Sequence, residues 1–266
     1  MRVSSTCRMS TRDRGGCPGE AVAGRERFRQ WSRVIVTPMQ HAPADVEQAR
    51  RDSVEDMAAL VATKRSHPTE DFLSVLVHAR DEDGDRLTES ELIDLATQLL
   101  LAGHETTVNL IASGVVLLCR HPEQLAALRA DPALTPGAVE EIMRFDGPVD
   151  TSLLRVALED VELSGVLVRR GEAVLAHVGA ANRDENVFPD VAAFDIRRKD
   201  APQLGFGHGV HFCLGAALAR LEGEIALRAL VDRLPGLDLA VPAETIAWRP
   251  PLSVRGPEEV PVTWAA

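Results

Sequence analysis

The chain has 266 residues, of which 45% are hydrophobic and 26% charged, with a formal net charge of −11. That is enough apolar content for one large domain or two small ones, and the acidic balance speaks against general nucleic-acid binding. Four cysteines, Cys7, Cys17, Cys119 and Cys213, form no CxxC or CxxCH motif, which argues against a zinc ribbon, a covalently attached c-type heme and a disulfide framework.

No uninterrupted apolar run reaches bilayer length, the one around Leu99–Ala102 included, and the N-terminus lacks a signal-peptide core. A soluble, cytoplasmic protein without membrane contact is the expectation. The first twenty residues carry +2, leaving −13 for the rest. They show no periodicity and are expected to be a disordered tail outside the domain of residues 21–266.

From Arg25 to about Lys64 the spacing of Phe28, Trp31, Val34 and Ile35, and the interruption at Pro38, predict two helices. A short helix over Asp71–Ala79 follows. Thr88 and Glu91 form a capping box that opens a helix of about 31 residues over 88–120. A further helix is expected over Glu123–Ala130. Another, over about 135–146, has Thr135 as N-cap and stops at Gly147–Pro148. The stretches "RVALEDVEL" and "VLVRRGEAVLAHV" read as short strands, the second a hairpin around Arg170–Gly171. A long irregular connection leads to "FGHGVHFCLG" at 206–215, and "LGAALARLEGEIALRALVDRL" closes the pattern as an amphipathic helix. The fold class is mainly α with minor β.

Three stretches carry chemistry-bearing residues. In "LLLAGHETTVNL", Gly103 and the paired threonines weaken the interior of a long helix. Ala102 and Thr106 share a face there, with Glu105 beside them. A small surface, a hydroxyl and an acid together suit proton delivery, although close helix packing explains the same residues. In "AVEEIMRF", either Glu140 or Glu141 can pair with Arg144, and apolar neighbours favour a buried pair. Arg155 stands among apolar residues as a snorkelling strand-edge cation or an anion holder.

In "FGHGVHFCLG", zinc held by His208, His211 and Cys213 lacks a second ligand pair. A Cys–His nucleophile lacks a visible oxyanion hole. A thiolate ligand to heme iron suits the loop better. Its glycines, Gly207, Gly209 and Gly215, allow close backbone approach to a flat macrocycle, and the helix after Cys213 turns its positive end toward the sulfur.

Taken together, from about residue 21 onward, these stretches resemble the cytochrome P450 family of heme-thiolate monooxygenases, soluble bacterial type. Phe206, Gly209, Cys213 and Gly215 fall in register with FxxGxxxCxG; "AGHETT", "EIMR", "FDIRR", "ANRD" and "ALARLE" follow the family order. The resemblance implies a cytochrome P450 fold, N-terminally truncated, because the family's earlier helices and much of its main sheet have no counterpart here. It implies heme b with Cys213 as the iron ligand. It places Ala102 and Gly103 beside the oxygen site, with Thr106 and Glu105 in proton delivery. Arg155 and His211 hold heme propionates, and Phe206, Gly207 and Gly215 line the heme. Glu141, Arg144 and Arg198 form a structural cluster, and His208 is a loop residue. Partners implied are a ferredoxin or similar electron donor with its NAD(P)H-dependent reductase, O2 and a small organic substrate of secondary metabolism. Beside this stands a second expectation, a catalytically inactive remnant that binds heme poorly or not at all.

Overall fold

In a computed structural model of the chain, the described residues are 2–4, 18–79, 84, 86–199, 202–249 and 254–265. Most of the segment expected to be a disordered tail, residues 1 and 5–17, lies outside them. The elements run β1 (Arg2–Ser4), α1 (Pro18–Val36), α2 (Pro43–Ser66), α3 (Phe72–His78), α4 (Glu89–Arg120), α5 (Pro122–Ala130) and α6 (Thr135–Asp146). They continue with β2 (Arg155–Val156), β3 (Val161–Leu163), β4 (Val166–Val168), β5 (Ala173–Val174), α7 (Val178–Ala181), α8 (Ala216–Arg233), β6 (Asp238–Leu239) and β7 (Glu259–Thr263). The chain divides within α4 into two compact units. One ends at His104; the other runs from Glu105 to the C-terminus and takes in β1.

In the unit that ends at His104, α2 packs on α1 through charge and aromatic contacts. Trp31 Nε1 donates to Asp56 Oδ2 at 2.9 Å, and Arg27 Nε lies 2.9 Å from Asp56 Oδ1. Met57, Val61, Leu92, Ile93 and Ala96 form its core. The α3 N-terminus is capped by Asp71, which accepts from Ser74 N at 2.8 Å. That satisfies one of the amide groups a helix start leaves unpaired. The capping box that opens α4 is formed as the sequence predicts. Thr88 N donates to Glu91 Oε2 at 2.8 Å, and Glu91 N donates to Thr88 Oγ1 at 3.3 Å.

In the other unit, α4, α5, α6 and α8 enclose a core of Leu110, Leu117, Leu118, Leu128, Val139, Ile142 and Leu227. Each such leucine contributes about 1.5–3 kcal/mol when fully buried. A second cluster joins Val115 and Val116 of α4 to Leu237, Ile246, Val260 and Val262 beneath the sheet. That sheet is antiparallel throughout, in the order β1–β7–β6. By length and composition α4 could cross a membrane, although its apolar residues are interrupted by polar ones. However, 56% of its apolar window is buried inside the protein, as a core helix requires.

β1, paired with β7, and the first turn of α1 fall inside the segment expected to be a disordered tail, and two further details differ from what the sequence predicts. The tight hairpin turn is at Ser164–Gly165, not Arg170–Gly171. Both turn residues have positive φ, +50° and +81°, as a two-residue loop between twisted strands requires. β3 pairs β4 across it, and β2 pairs β5 outside them. Arg170–Gly171 forms a wider return in which Glu172 N donates to Arg169 O at 3.0 Å. Thr135 is the first residue of α6 rather than its N-cap, and its hydroxyl donates to Pro132 O at 2.7 Å.

Candidate functional site

The base of the site is a buried charge cluster on α6. Arg144 Nε and Nη2 donate to the two oxygens of Glu141 at 2.7 and 2.8 Å. The remaining hydrogens of Arg144 go to the carbonyls of Asn182, Val191 and Ala193 at 3.1, 3.3 and 3.0 Å. Arg198 Nε approaches Glu141 Oε2 at 3.2 Å, while its other nitrogens donate to Pro189, Asp190 and Ala193 carbonyls. The irregular connection of residues 182–198 has no ladder of its own, so its buried carbonyls need donors. Two arginines supply them, and one carboxylate holds both. Glu140, the other candidate acid, lies outside this cluster and pairs with Arg220 at 2.5 Å.

That connection feeds directly into the cysteine loop. Asn182, buried, accepts from Leu204 N at 2.7 Å, and Gly207 N donates to Leu204 O at 2.8 Å. Gly207 and Gly209 have φ of +74° and +73°, a backbone that a side chain bearing Cβ resists. The loop closes where Cys213 N donates to Phe206 O at 2.9 Å. Phe206 is buried in the core, and the Arg220 guanidinium lies over its ring at 4.4 Å. Cys213 itself is exposed, with Gly215 as the N-cap residue of α8.

Around the thiol the loop and α8 present apolar side chains outward. Val210 is 97% exposed and Leu214 89%; Phe212, Leu218, Leu221 and Ile225 are exposed too. His208 and His211 are also exposed, and among the described residues no group of three metal-ligating side chains is gathered. Arg155, on β2, is exposed and forms no ion pair among the described residues. Ala102 and Gly103 lie on the exposed face of α4, with Thr106 half-buried one turn on.

Glu105 is buried and ion-paired. Arg249 Nη1 donates to its Oε2 at 3.0 Å, and the two side chains are only 8% and 7% exposed. Arg249 was not singled out from the sequence. It follows a tryptophan and precedes two prolines, where no periodicity marks a residue as inward-facing. A cleft of about 430 Å³ lies at the end of α6, lined by Asp146, Asp150, His177, Arg183 and Arg255. Burial raises the Asp146 carboxyl above its ordinary value, against the opposing pull of Arg255, whose Nη1 lies 3.0 Å from it. Of the candidate residues only Arg144 borders this cleft.

A mainly helical protein with a free cysteine at the head of a helix, on a loop braced by a buried Glu–Arg–Arg cluster, belongs to a narrow class. Residues 25–235 match the model of the cytochrome P450 family, and the chain belongs to that family. It is 47% identical over 240 residues to the cytochrome P450 monooxygenase PikC of Streptomyces venezuelae, covering 90% of this chain and 57% of that protein. It is 44% identical over 238 residues to 6-deoxyerythronolide B hydroxylase of Saccharopolyspora erythraea, covering 90% and 59%. The structure of the tirandamycin C-bound P450 monooxygenase TamI superposes with a TM-score of 0.84 at 40% identity, over 90% of this chain and 59% of that one. The chain thus spans about three fifths of the length of the relatives it matches.

The family's prosthetic group is heme b ligated by a cysteine thiolate. The residues around Cys213 fit such a group. The donor is a soft, accessible sulfur, as a thiolate-iron bond needs. Its surround is apolar and outward-facing, and a Cβ placed on Gly209 would meet nothing within 4 Å, so the backbone can lie close to a flat face.

Proposed function

We propose that this chain carries the iron-ligand portion of a monooxygenase that inserts one atom of O2 into a small organic substrate. Cys213 supports this reading most directly: an exposed thiol on a loop whose shape is set by Gly207, Gly209 and the Phe206 carbonyl. When bound, heme b supplies the iron chemistry of oxygen activation, and a thiolate ligand pushes electron density that favours O–O cleavage.

The chain's own residues do the rest. Cys213 Sγ, just ahead of the first turn of α8, would ligate the iron. Phe206 would pack beside the heme near the sulfur. His211 and Arg155 would hold the propionates. Ala102 and Gly103 keep the α4 surface low beside the oxygen site. Thr106 Oγ1 would hold a proton beside the oxygen site, with Glu105 helping to relay protons to it. Glu141, Arg144 and Arg198 keep the loop beneath in place.

Electrons come from NAD(P)H through a ferredoxin or similar donor with its reductase. The substrate is a small organic molecule of secondary metabolism, in keeping with the named relatives, and the protein works in the cytoplasm without membrane or nucleic acid. The test is the reduced, carbon-monoxide-bound spectrum after loading with heme. The expected result is the red-shifted band of thiolate-ligated heme, abolished in Cys213→Ser. Failure to take up stoichiometric heme supports the inactive-remnant reading instead.

A further inference from the structure

Glu140, the acid left outside the α6 charge cluster, is held by a different partner. It accepts from Arg220 of α8, Nε to Oε1 at 2.5 Å and Nη2 to Oε2 at 3.3 Å. Both side chains are 35% exposed, and an ion pair this open to water adds little stability. Its position is more telling. The Arg220 guanidinium lies over the Phe206 ring, 4.4 Å from its centre, a stacking that the planar arginine fork favours.

Glu140 is also tied to the loop that carries Phe206. Gln203 Nε2 donates to Glu140 Oε2 at 3.1 Å, and Gln203 Oε1 accepts from Gly205 N at 2.5 Å. Gly205 has no room for a larger residue: a Cβ there would lie 2.6 Å from Met143 Cε and 2.8 Å from that amide oxygen. Phe206 comes next, and its carbonyl accepts from Cys213 N at 2.9 Å. Ion pair, amide and loop backbone thus form one connected path, which fixes where the Arg220 charge stands relative to the cysteine. Glu140 foremost holds the guanidinium charged, against the cost of burial, and Cys213 adds a smaller pull.

We propose that Arg220 is a positioning residue for the cysteine site: its guanidinium, stacked on Phe206, raises the electrostatic potential at Cys213 Sγ, while Glu140 holds the cation in place and limits its field. The two partners therefore act on the sulfur with opposite sign. The consequence at iron rests on the monooxygenase reading above; the field at the sulfur does not. Iron ligated by Cys213 takes one electron from the external donor in passing from ferric to ferrous. A nearby cation favours that gain of negative charge, and a nearby anion opposes it.

The test has two arms. In the full chain without heme, alkylation of Cys213 by neutral iodoacetamide and by anionic iodoacetate is followed by mass mapping of the Cys213 peptide. Both reagents attack the same thiolate, so its ionised fraction cancels in the ratio of the two rates, and the ratio reports the potential at the sulfur. Arg220→Met, which keeps an apolar stem over Phe206, is expected to lower the iodoacetate-to-iodoacetamide ratio at least twofold. Glu140→Gln is expected to raise it at least twofold, and Arg220→Lys should stay near the unsubstituted value. High salt should compress these differences. Unchanged ratios, or shifts of both variants in one direction, overturn the proposal, because mere loosening of the loop moves them alike. Should Arg220→Met not fold, Glu140→Gln alone gives the sign.

In heme-loaded protein, the ferrous-to-ferric ratio at a fixed applied potential should fall at least twofold in Arg220→Met and rise at least twofold in Glu140→Gln. The thiolate spectrum should stay in place in both. Unchanged ratios overturn the effect on iron. Absence of the thiolate spectrum from the unsubstituted chain marks failure of the monooxygenase reading and leaves the alkylation ratios decisive.

Discussion

Arg144 meets Glu141 side-on, two nitrogens against two oxygens, with side chains 0% and 1% exposed. A buried pair of this kind gains little over apolar packing, because both charges must be stripped of water. What it does here is geometric. Glu141 gathers Arg144 and Arg198, and these donate to five carbonyls of one irregular segment, so that the path into the cysteine loop has a fixed start.

Removing the carboxylate charge strands two arginines. Glu141→Gln is expected to destabilise the chain by about 3–5 kcal/mol, the usual cost of leaving a buried charge unpaired. Arg144→Lys should be nearly as damaging, since a point-like ammonium does not replace a planar fork that serves one carboxylate and three carbonyls. Urea denaturation of each variant against the unsubstituted chain measures both.

The two cysteines among the described residues are set apart by environment. Burial pushes the Cys119 thiol up to about 11, and at neutral pH it stays protonated and unreactive. Cys213 is exposed. On a background with Cys7 and Cys17 replaced by serine, iodoacetamide is expected to modify Cys213 well before Cys119, by at least tenfold in rate. Preincubation with hemin should protect Cys213 and leave Cys119 unaffected; peptide mass mapping reads both rates.

How much of this could be read from the sequence differs by element. The helices α2 to α6 announce themselves through prolines, caps and period, and Thr88 with Glu91 marks the start of α4 to within a residue. The cysteine loop is dense in rare residues and names its own family. The hairpin was misplaced because Arg170–Gly171 and Ser164–Gly165 are equally plausible turns until strand pairing is known; pairing is a long-range property with no local signal. Arg249 was missed for the same reason. Its partner is 144 positions away, and a lone arginine near a chain end reads as solvated. The outward apolar face of α8 was also hidden, since Leu218, Leu221 and Ile225 fit the helical period as well as the buried Leu227 does.

Asp71 carries a pH dependence of definite sign. Lys64 foremost, then Thr69 and the Ser74 amide, hold its carboxyl well below the ordinary carboxylate value near 3.8. A carboxyl depressed in the folded state adds stability above its unfolded value, and that stability is lost as pH falls through the folded one. Asp146 runs the opposite way. Burial raises it, so its contribution is present below about pH 4 and lost as pH rises through the folded value. Asp71→Ala is expected to cost about 1 kcal/mol at pH 7 through the lost α3 cap, with the difference from the unsubstituted chain shrinking in acid. Denaturant midpoints at pH 7 and pH 3 give the comparison.

Gly256 and Gly209 separate two reasons for a glycine. Gly209 has φ of +73° and open space where a Cβ would go, so Gly209→Ala strains only its own backbone, at a cost of about 1–2 kcal/mol. Its effect should appear in the cysteine loop as altered Cys213 alkylation and weaker heme retention. Gly256 has no positive φ, but its Cβ would fall 2.3 Å from Asn109 Oδ1 and 2.4 Å from Cγ. Asn109 is fully buried on α4, with its Cβ only 2.8 Å from that point, so rotating the amide does not clear the clash and backbone has to move. Overpacking of this kind costs about 1–3 kcal/mol, and the displaced segment carries Arg249. Gly256→Ala is therefore expected to lower stability by that amount and leave Cys213 alkylation unchanged, the reverse of Gly209→Ala. The double substitution Gly256→Ala with Asn109→Ala removes the clashing amide and should recover most of the melting temperature lost by Gly256→Ala alone; no recovery would place the strain elsewhere in the return.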